Sequence, residues 1–143
     1  MYTLRTILKN KKSTEVWTVA PGDTVFEAIT LMAKLGIGAL LVMEGPRLAG
    51  IVSERDYARK IILQGRRSAE TLVAEVMTRD VVTATLSTTA REGLATMTNG
   101  YFRHLPVLED DRVVGLVSIG DLVKAVIAEQ QATIEELERY VTG

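Results

Sequence analysis

The chain has no cysteine and a single histidine among its 143 residues. The missing thiols exclude a disulfide framework and any thiolate metal site, and they are compatible with a reducing cytoplasm. A charge excess of either sign is also missing: 17 basic against 18 acidic residues leave a net charge of −1. No long-range field can then recruit nucleic acid or an anionic membrane, so any anion site must be local. Long apolar runs are absent as well, because the longest, Ala39-Leu40-Leu41-Val42-Met43, is far short of the roughly 20 residues that span a bilayer. The first twelve residues carry no apolar core of signal-peptide length. A cytoplasmic protein with neither a nucleic-acid nor a membrane partner is expected. There is no Walker loop, no Gly-x-Ser-x-Gly elbow and no His/Asp/Glu ligand cluster. A small hydrolase would rest on Ser53, His104 and Asp56 alone, with no oxyanion hole or metal to help them.

What the chain does have is a repeat. Gly50-Ile51-Val52-Ser53-Glu54-Arg55-Asp56 returns 65 residues later as Gly115-Leu116-Val117-Ser118-Ile119-Gly120-Asp121. A glycine, two apolar β-formers, a Ser and then an Asp three residues on read as a strand running into a helix start. Exposed N–H groups at such a start attract anions. The same shift sets Thr18 on Thr83, Thr24 on Thr89, Glu27 on Glu92, Met32 on Met97, Leu40 on Leu105, Val42 on Val107, Glu44 on Glu109 and Arg47 on Arg112, without a gap. The chain is thus a tandem duplication. Units of roughly 60 residues bury a core poorly alone, so the two are expected to pack together with pseudo-twofold symmetry. The 47% hydrophobic content suffices for such a core.

Taken in order, residues 3–9 read as a short helix with Leu4, Ile7 and Leu8 on one side, followed by a solvated basic turn in which Lys11 and Lys12 could meet a phosphate. Val16 to Val19 reads as a strand. Thr24 with Glu27, and Thr89 with Glu92, fit capping boxes. Val25, Ala28, Ile29, Met32 and Leu35 then follow helical spacing as a core stripe. Gly36-Ile37-Gly38 ends that helix, and a strand follows where a dinucleotide fingerprint needs a helix. Strands are expected over 39–43 and 48–52 about a turn at 44–47, and a helix from Asp56 to Leu63. Residues 66–75 read as polar and lie between units, with a helix start at 68–70. The second unit repeats the order with a strand at 81–84, a helix at 89–98, strands at 104–108 and 113–117, and a last helix from Asp121 to about Val141. Ile127, Ile134, Leu137, Tyr140 and Val141 give that helix an apolar face beyond the repeat, a candidate partner surface.

The β-α-β-β-α order, the doubled period and the strand Gly-h-h-Ser-x-x-Asp together resemble a tandem pair of cystathionine β-synthase (CBS) domains, a Bateman module. The run Val52-Ser53-Glu54-Arg55-Asp56 with Arg103-His104-Leu105-Pro106-Val107 resembles stand-alone bacterial pairs. An α+β fold follows, with repeat 1 at 12–64, repeat 2 at 76–128, an N-terminal helix at 1–11 and a C-terminal helix extension at 129–143. The resemblance implies adenine-nucleotide binding in clefts that take strand-start residues from one repeat and the motif from the other. The motif Asp would accept ribose hydroxyls, and the Ser or Thr would hold phosphate.

That rule implies two unlike clefts. The working one would combine Thr83, Tyr101, Phe102, Arg103, His104 and Pro106 with Ser53, Arg55 and Asp56, where two guanidiniums and the only histidine suit one or two phosphates. The weaker one would combine Thr18, Gly36, Ile37, Gly38 and Ala39 with Ser118, Ile119, Gly120 and Asp121, and brings no cation. AMP or NAD is the favoured ligand; ATP, ADP and S-adenosylmethionine share the features read here. Ser53 and Asp56 also fit a plain helix cap, Arg55 a surface ion pair, and His104 a structural hydrogen bond. A regulatory sensor without catalysis, forming a homodimer and acting on a regulated protein partner, is the leading reading. An interaction module with vestigial clefts is the alternative.

Overall fold

The computed structural model describes residues 1–11 and 15–142, which form two compact units: 16–81, and 1–15 together with 82–143. Lys12, one of the two candidate phosphate lysines, lies outside the described residues.

In the unit of 16–81, β1 (Thr18–Val19) runs parallel to β2 (Ala39–Glu44), which pairs antiparallel with β3 (Arg47–Ser53). The unit of 82–143 repeats this with β4 (Ala84–Thr85), β5 (His104–Glu109) and β6 (Arg112–Ser118). Even the irregularities coincide, since the register slips between Val42 and Met43 and again between Val107 and Leu108. The helices after the first strands, α2 (Val25–Leu35) and α5 (Ala90–Gly100), open on the expected capping boxes. Thr24 Oγ1 accepts the Glu27 N–H at 3.1 Å while the Glu27 carboxylate accepts the Thr24 N–H at 3.2 Å. Thr89 and Glu92 do the same at 3.1 and 3.0 Å. Val25, Ala28 and Met32 are buried on one core, Ala90 and Met97 on the other.

The helices that follow the motif start two residues earlier than expected, at Glu54 in α3 (Glu54–Tyr57) and at Ile119 in α6 (Ile119–Thr142). The reason is that the motif Ser takes the N-cap position, which places the Asp in the third helical position instead of the first. The expected helix to Leu63 is α-helical for only four residues and continues as a π turn over Ala58–Ile62. The expected strand at 81–84 shrinks to Ala84–Thr85, because only these two residues pair with β5, so Thr83 lies outside it.

Residues 66–75 are not a polar spacer. Ser68–Glu70 form a 3-10 turn, and Val73–Val76 form a short helix, α4, that buries Val73 and Val76, with Met77 behind them, in the core of the 16–81 unit. The Thr71 carbonyl accepts the Val25 N–H, and the Asp23 carbonyl accepts the Val73 N–H, both at 2.8 Å. The other unit repeats this pair with α1 (Leu4–Asn10): the Tyr2 carbonyl accepts the Ala90 N–H at 2.9 Å and the Thr88 carbonyl accepts the Leu4 N–H at 2.8 Å. Each repeat's core is therefore completed by the segment that precedes the other repeat in sequence. Tyr2 corresponds to Thr71 and Leu4 to Val73, an offset of 69 residues that a constant 65-residue shift misses.

Candidate functional site

Both copies of the motif close a capping box at the exit of a strand. In α3 the Ser53 N–H donates to Asp56 Oδ2 at 2.9 Å, the Ser53 hydroxyl donates to the same oxygen at 3.0 Å, and the Asp56 N–H donates to Ser53 Oγ at 3.2 Å. Lys60, one helical turn on, places its ammonium 3.2 Å from Asp56 Oδ1. In α6 the Ser118 N–H donates to Asp121 Oδ2 at 2.9 Å and the Asp121 N–H to Ser118 Oγ at 3.2 Å. Here the cation comes from far away in the chain. Lys11, just past α1, donates to Asp121 Oδ2 at 2.9 Å and to the Leu116 carbonyl at 3.0 Å.

The Asp121 motif therefore does have a cation, contrary to expectation. Lys11 reaches it because α1 packs on the unit that contains Asp121. Burial alone would raise the Asp121 pKa, but the Ser118 N–H and the Lys11 ammonium outweigh it and hold the carboxyl below its ordinary value. Lys60 was legible from its i+4 spacing to Asp56. Lys11 lies 110 residues from Asp121 and has no local signal.

The strand starts adjoin the motif of their own repeat. Ala39 stands opposite Ser53, and the Glu54 N–H donates to the Gly38 carbonyl at 3.0 Å. His104 stands opposite Ser118, and the Ile119 N–H donates to the Arg103 carbonyl at 2.9 Å. Thr18 pairs further along, opposite Leu41, away from the motif. Arg55, Thr83 and Arg103 are exposed and His104 is half-buried. Ala39 and Pro106 are buried, and Ile37 and Phe102 pack against the cores, so these four are structural at least in part. Tyr101 caps α5 in the left-handed conformation, φ 58° and ψ 40°, where the first repeat has Gly36 at φ 67° and ψ 34°. The residue is 84% exposed and takes no part in the core.

Among the described residues no cluster of three or more His, Cys, Asp or Glu could hold a metal ion, and no helix is long and apolar enough to cross a membrane.

The CBS domain family model matches residues 6–63 and 73–128. The chain is 39% identical to the mitochondrial CBS domain-containing protein CBSX3 of Arabidopsis thaliana, over 99% of this chain and 72% of the relative. It is 32% identical to the CBS domain-containing protein YhcV of Bacillus subtilis, over 87% of this chain and 89% of that one. Larger relatives also match, and the chain spans only 26% of CBSCBSPB2 of Arabidopsis thaliana. Among solved structures, a protein with CBS domains from Burkholderia ambifaria superimposes with a TM-score of 0.86 at 52% identity, covering 90% of this chain and 96% of that one. The CBS domain pair of protein MJ0100, in complex with 5-methylthioadenosine and S-adenosyl-L-methionine, gives 0.78 at 26% identity, covering 90% and 98%.

Proposed function

The chain belongs to the CBS domain family as a tandem pair, and on that premise we propose that it is a regulatory module that binds an adenine nucleotide and performs no turnover. The observation that carries the reading is the doubled strand-exit motif. Each copy holds a carboxylate beside a helix start, and each adjoins the strand start of its own repeat. A carboxylate can accept from both vicinal hydroxyls of a ribose, and helix-start N–H groups donate to phosphate oxygens. The adenosine compounds bound by the MJ0100 pair support the ligand class.

AMP or NAD is the proposed ligand, because Arg55, Arg103 and His104 suit one or two phosphates better than three. The proposed working site groups these three with Ser53, Asp56, Thr83 and Tyr101 across the repeats. A second grouping joins Thr18, Gly38 and Ala39 to Ser118 and Asp121, and Lys11 adds an ammonium to it. The module would act as a cytoplasmic homodimer and pass its ligand state to a protein partner.

Calorimetric titration with AMP, ADP, ATP, NAD and S-adenosylmethionine tests the reading. Ligand at 100 times its dissociation constant raises stability by about 2.7 kcal/mol, so a higher melting temperature should accompany binding. If no adenosine compound binds or shifts the melting temperature at millimolar concentration, the proposal falls. The alternative then gains, since the capping boxes and the two lysines already occupy much of both carboxylates.

A further inference from the structure

Helix α6 outruns the unit it belongs to. Leu122 and Ala125 are buried, Val126 packs on the core, and Glu129 accepts the Tyr2 N–H, so one side of the first three turns is fixed. Residues 130–142 are exposed on every side. A helix of that length is marginal in water unless something covers its apolar side, since isolated helices below about 12–15 residues barely hold.

That apolar side has a regular pattern. Val123, Ile127, Gln130, Ile134, Leu137 and Val141 follow one another at alternating steps of four and three, the heptad seam of a coiled coil. The five apolar members are 41% to 87% exposed. At about 100° per residue, the seam lies roughly 100° around the helix from the side that packs on the unit. It is therefore open to a partner while α6 stays docked.

We infer that α6 pairs through this seam with α6 of a second copy of the chain, antiparallel, so that Ile127 meets Leu137 of the partner subunit. The same register sets Val123 against the partner's Val141 and Gln130 against the partner's Ile134, each contact occurring twice by symmetry. Charge selects both the occupant and the direction. Antiparallel pairing brings Lys124 beside the partner's Glu138 at both ends of the seam, in the flanking positions where opposite charges set orientation. A parallel pair would place Lys124 beside Ile119 and Glu138 beside Thr133, with no opposite charge to meet. The inference goes beyond the nucleotide reading and does not depend on it.

Because the chain has no cysteine, introduced ones report geometry directly. Ile127→Cys and Leu137→Cys proteins are prepared separately, then oxidised alone and as an equimolar mixture. Antiparallel pairing predicts a covalent dimer from the mixture and little from either alone; efficient self-cross-linking of Leu137→Cys overturns it. Lys124→Glu and Glu138→Lys test the charges. Each alone should weaken the dimer about tenfold, and mixing the two should restore it as a heterodimer. Light scattering then decides the surface. Leu137→Glu should leave a monomer of 15.7 kDa, whereas a dimer undisturbed by this change, or a wild-type monomer at micromolar concentration, refutes the inference.

Discussion

The Lys11 ammonium lies 2.9 Å from Asp121 Oδ2 and ties the end of the first helix to the start of the last, 110 residues away. Both side chains are largely covered, at 30% and 23% exposure. The contact therefore sits where solvent screens it less than at an open surface. It also holds α1 to the motif strand through the Leu116 carbonyl.

Lys11→Met should keep the aliphatic stem and lose the charge, at a cost of about 1 kcal/mol, since the Ser118 bonds remain. The pH dependence has a definite sign. The Asp121 pKa is lowered on folding, so the unfolded state binds more protons through the titration range. Its stabilisation is complete above the unfolded carboxyl value of about 3.9 and is lost as the pH falls through the folded value. Urea denaturation at stepped pH should show a constant difference between wild type and variant from about pH 5 to 8, shrinking below about pH 4. A difference that grows with acid would contradict the pairing.

Gly50 and Gly115 are equivalent in the repeat yet crowded by different atoms. A Cβ on Gly50 would lie 2.7 Å from the Thr78 carbonyl oxygen and 2.8 Å from Met77 Sδ, whereas one on Gly115 would come nearest to the Leu8 side chain, with its methyls at 2.6 and 2.7 Å. Backbone yields less than a leucine side chain. Gly50→Ala should cost about 2–3 kcal/mol and Gly115→Ala nearer 1, both within the usual range for overpacking. Chemical denaturation of the two variants checks the order.

Tyr101 holds a left-handed backbone that costs a residue with a Cβ about 1–2 kcal/mol. Tyr101→Gly removes that strain but gives the unfolded chain more freedom, leaving a net gain of about 0.5 kcal/mol in the ligand-free protein. If Tyr101 belongs to the nucleotide site as proposed, the same change should weaken nucleotide binding. A more stable protein that binds less well is the expected result. Paired melting and titration measurements test it.

For the proposed working site, Asp56→Ala and Arg103→Ala should each weaken the tightest nucleotide by about 1.5–3 kcal/mol, the worth of a hydrogen bond to a charged group. Asp121→Ala should cost less, because the proposed second grouping brings one ammonium, that of Lys11, against the two guanidiniums and the imidazole of the proposed working site. Dissociation constants at constant salt decide. The assignment is wrong if Asp121→Ala does the damage while the other two bind normally.

Features carried by neighbouring residues were legible in the chain itself. The capping boxes at Thr24 and Thr89, the hairpins, the β-α-β-β-α order and the family follow from residues a few places apart, or from a shift that keeps them in step. The Ser and Asp of each motif were legible too, though their bond to one another moves each helix start by two residues. Tertiary packing decided the rest. Val73 and Leu4 complete opposite repeats at an offset four residues longer than the motif's, and only their burial and ladder bonds reveal the match. Lys11 finds Asp121 for the same reason. Three-dimensional packing can close a contact between distant residues that neither periodicity nor spacing in the chain encodes.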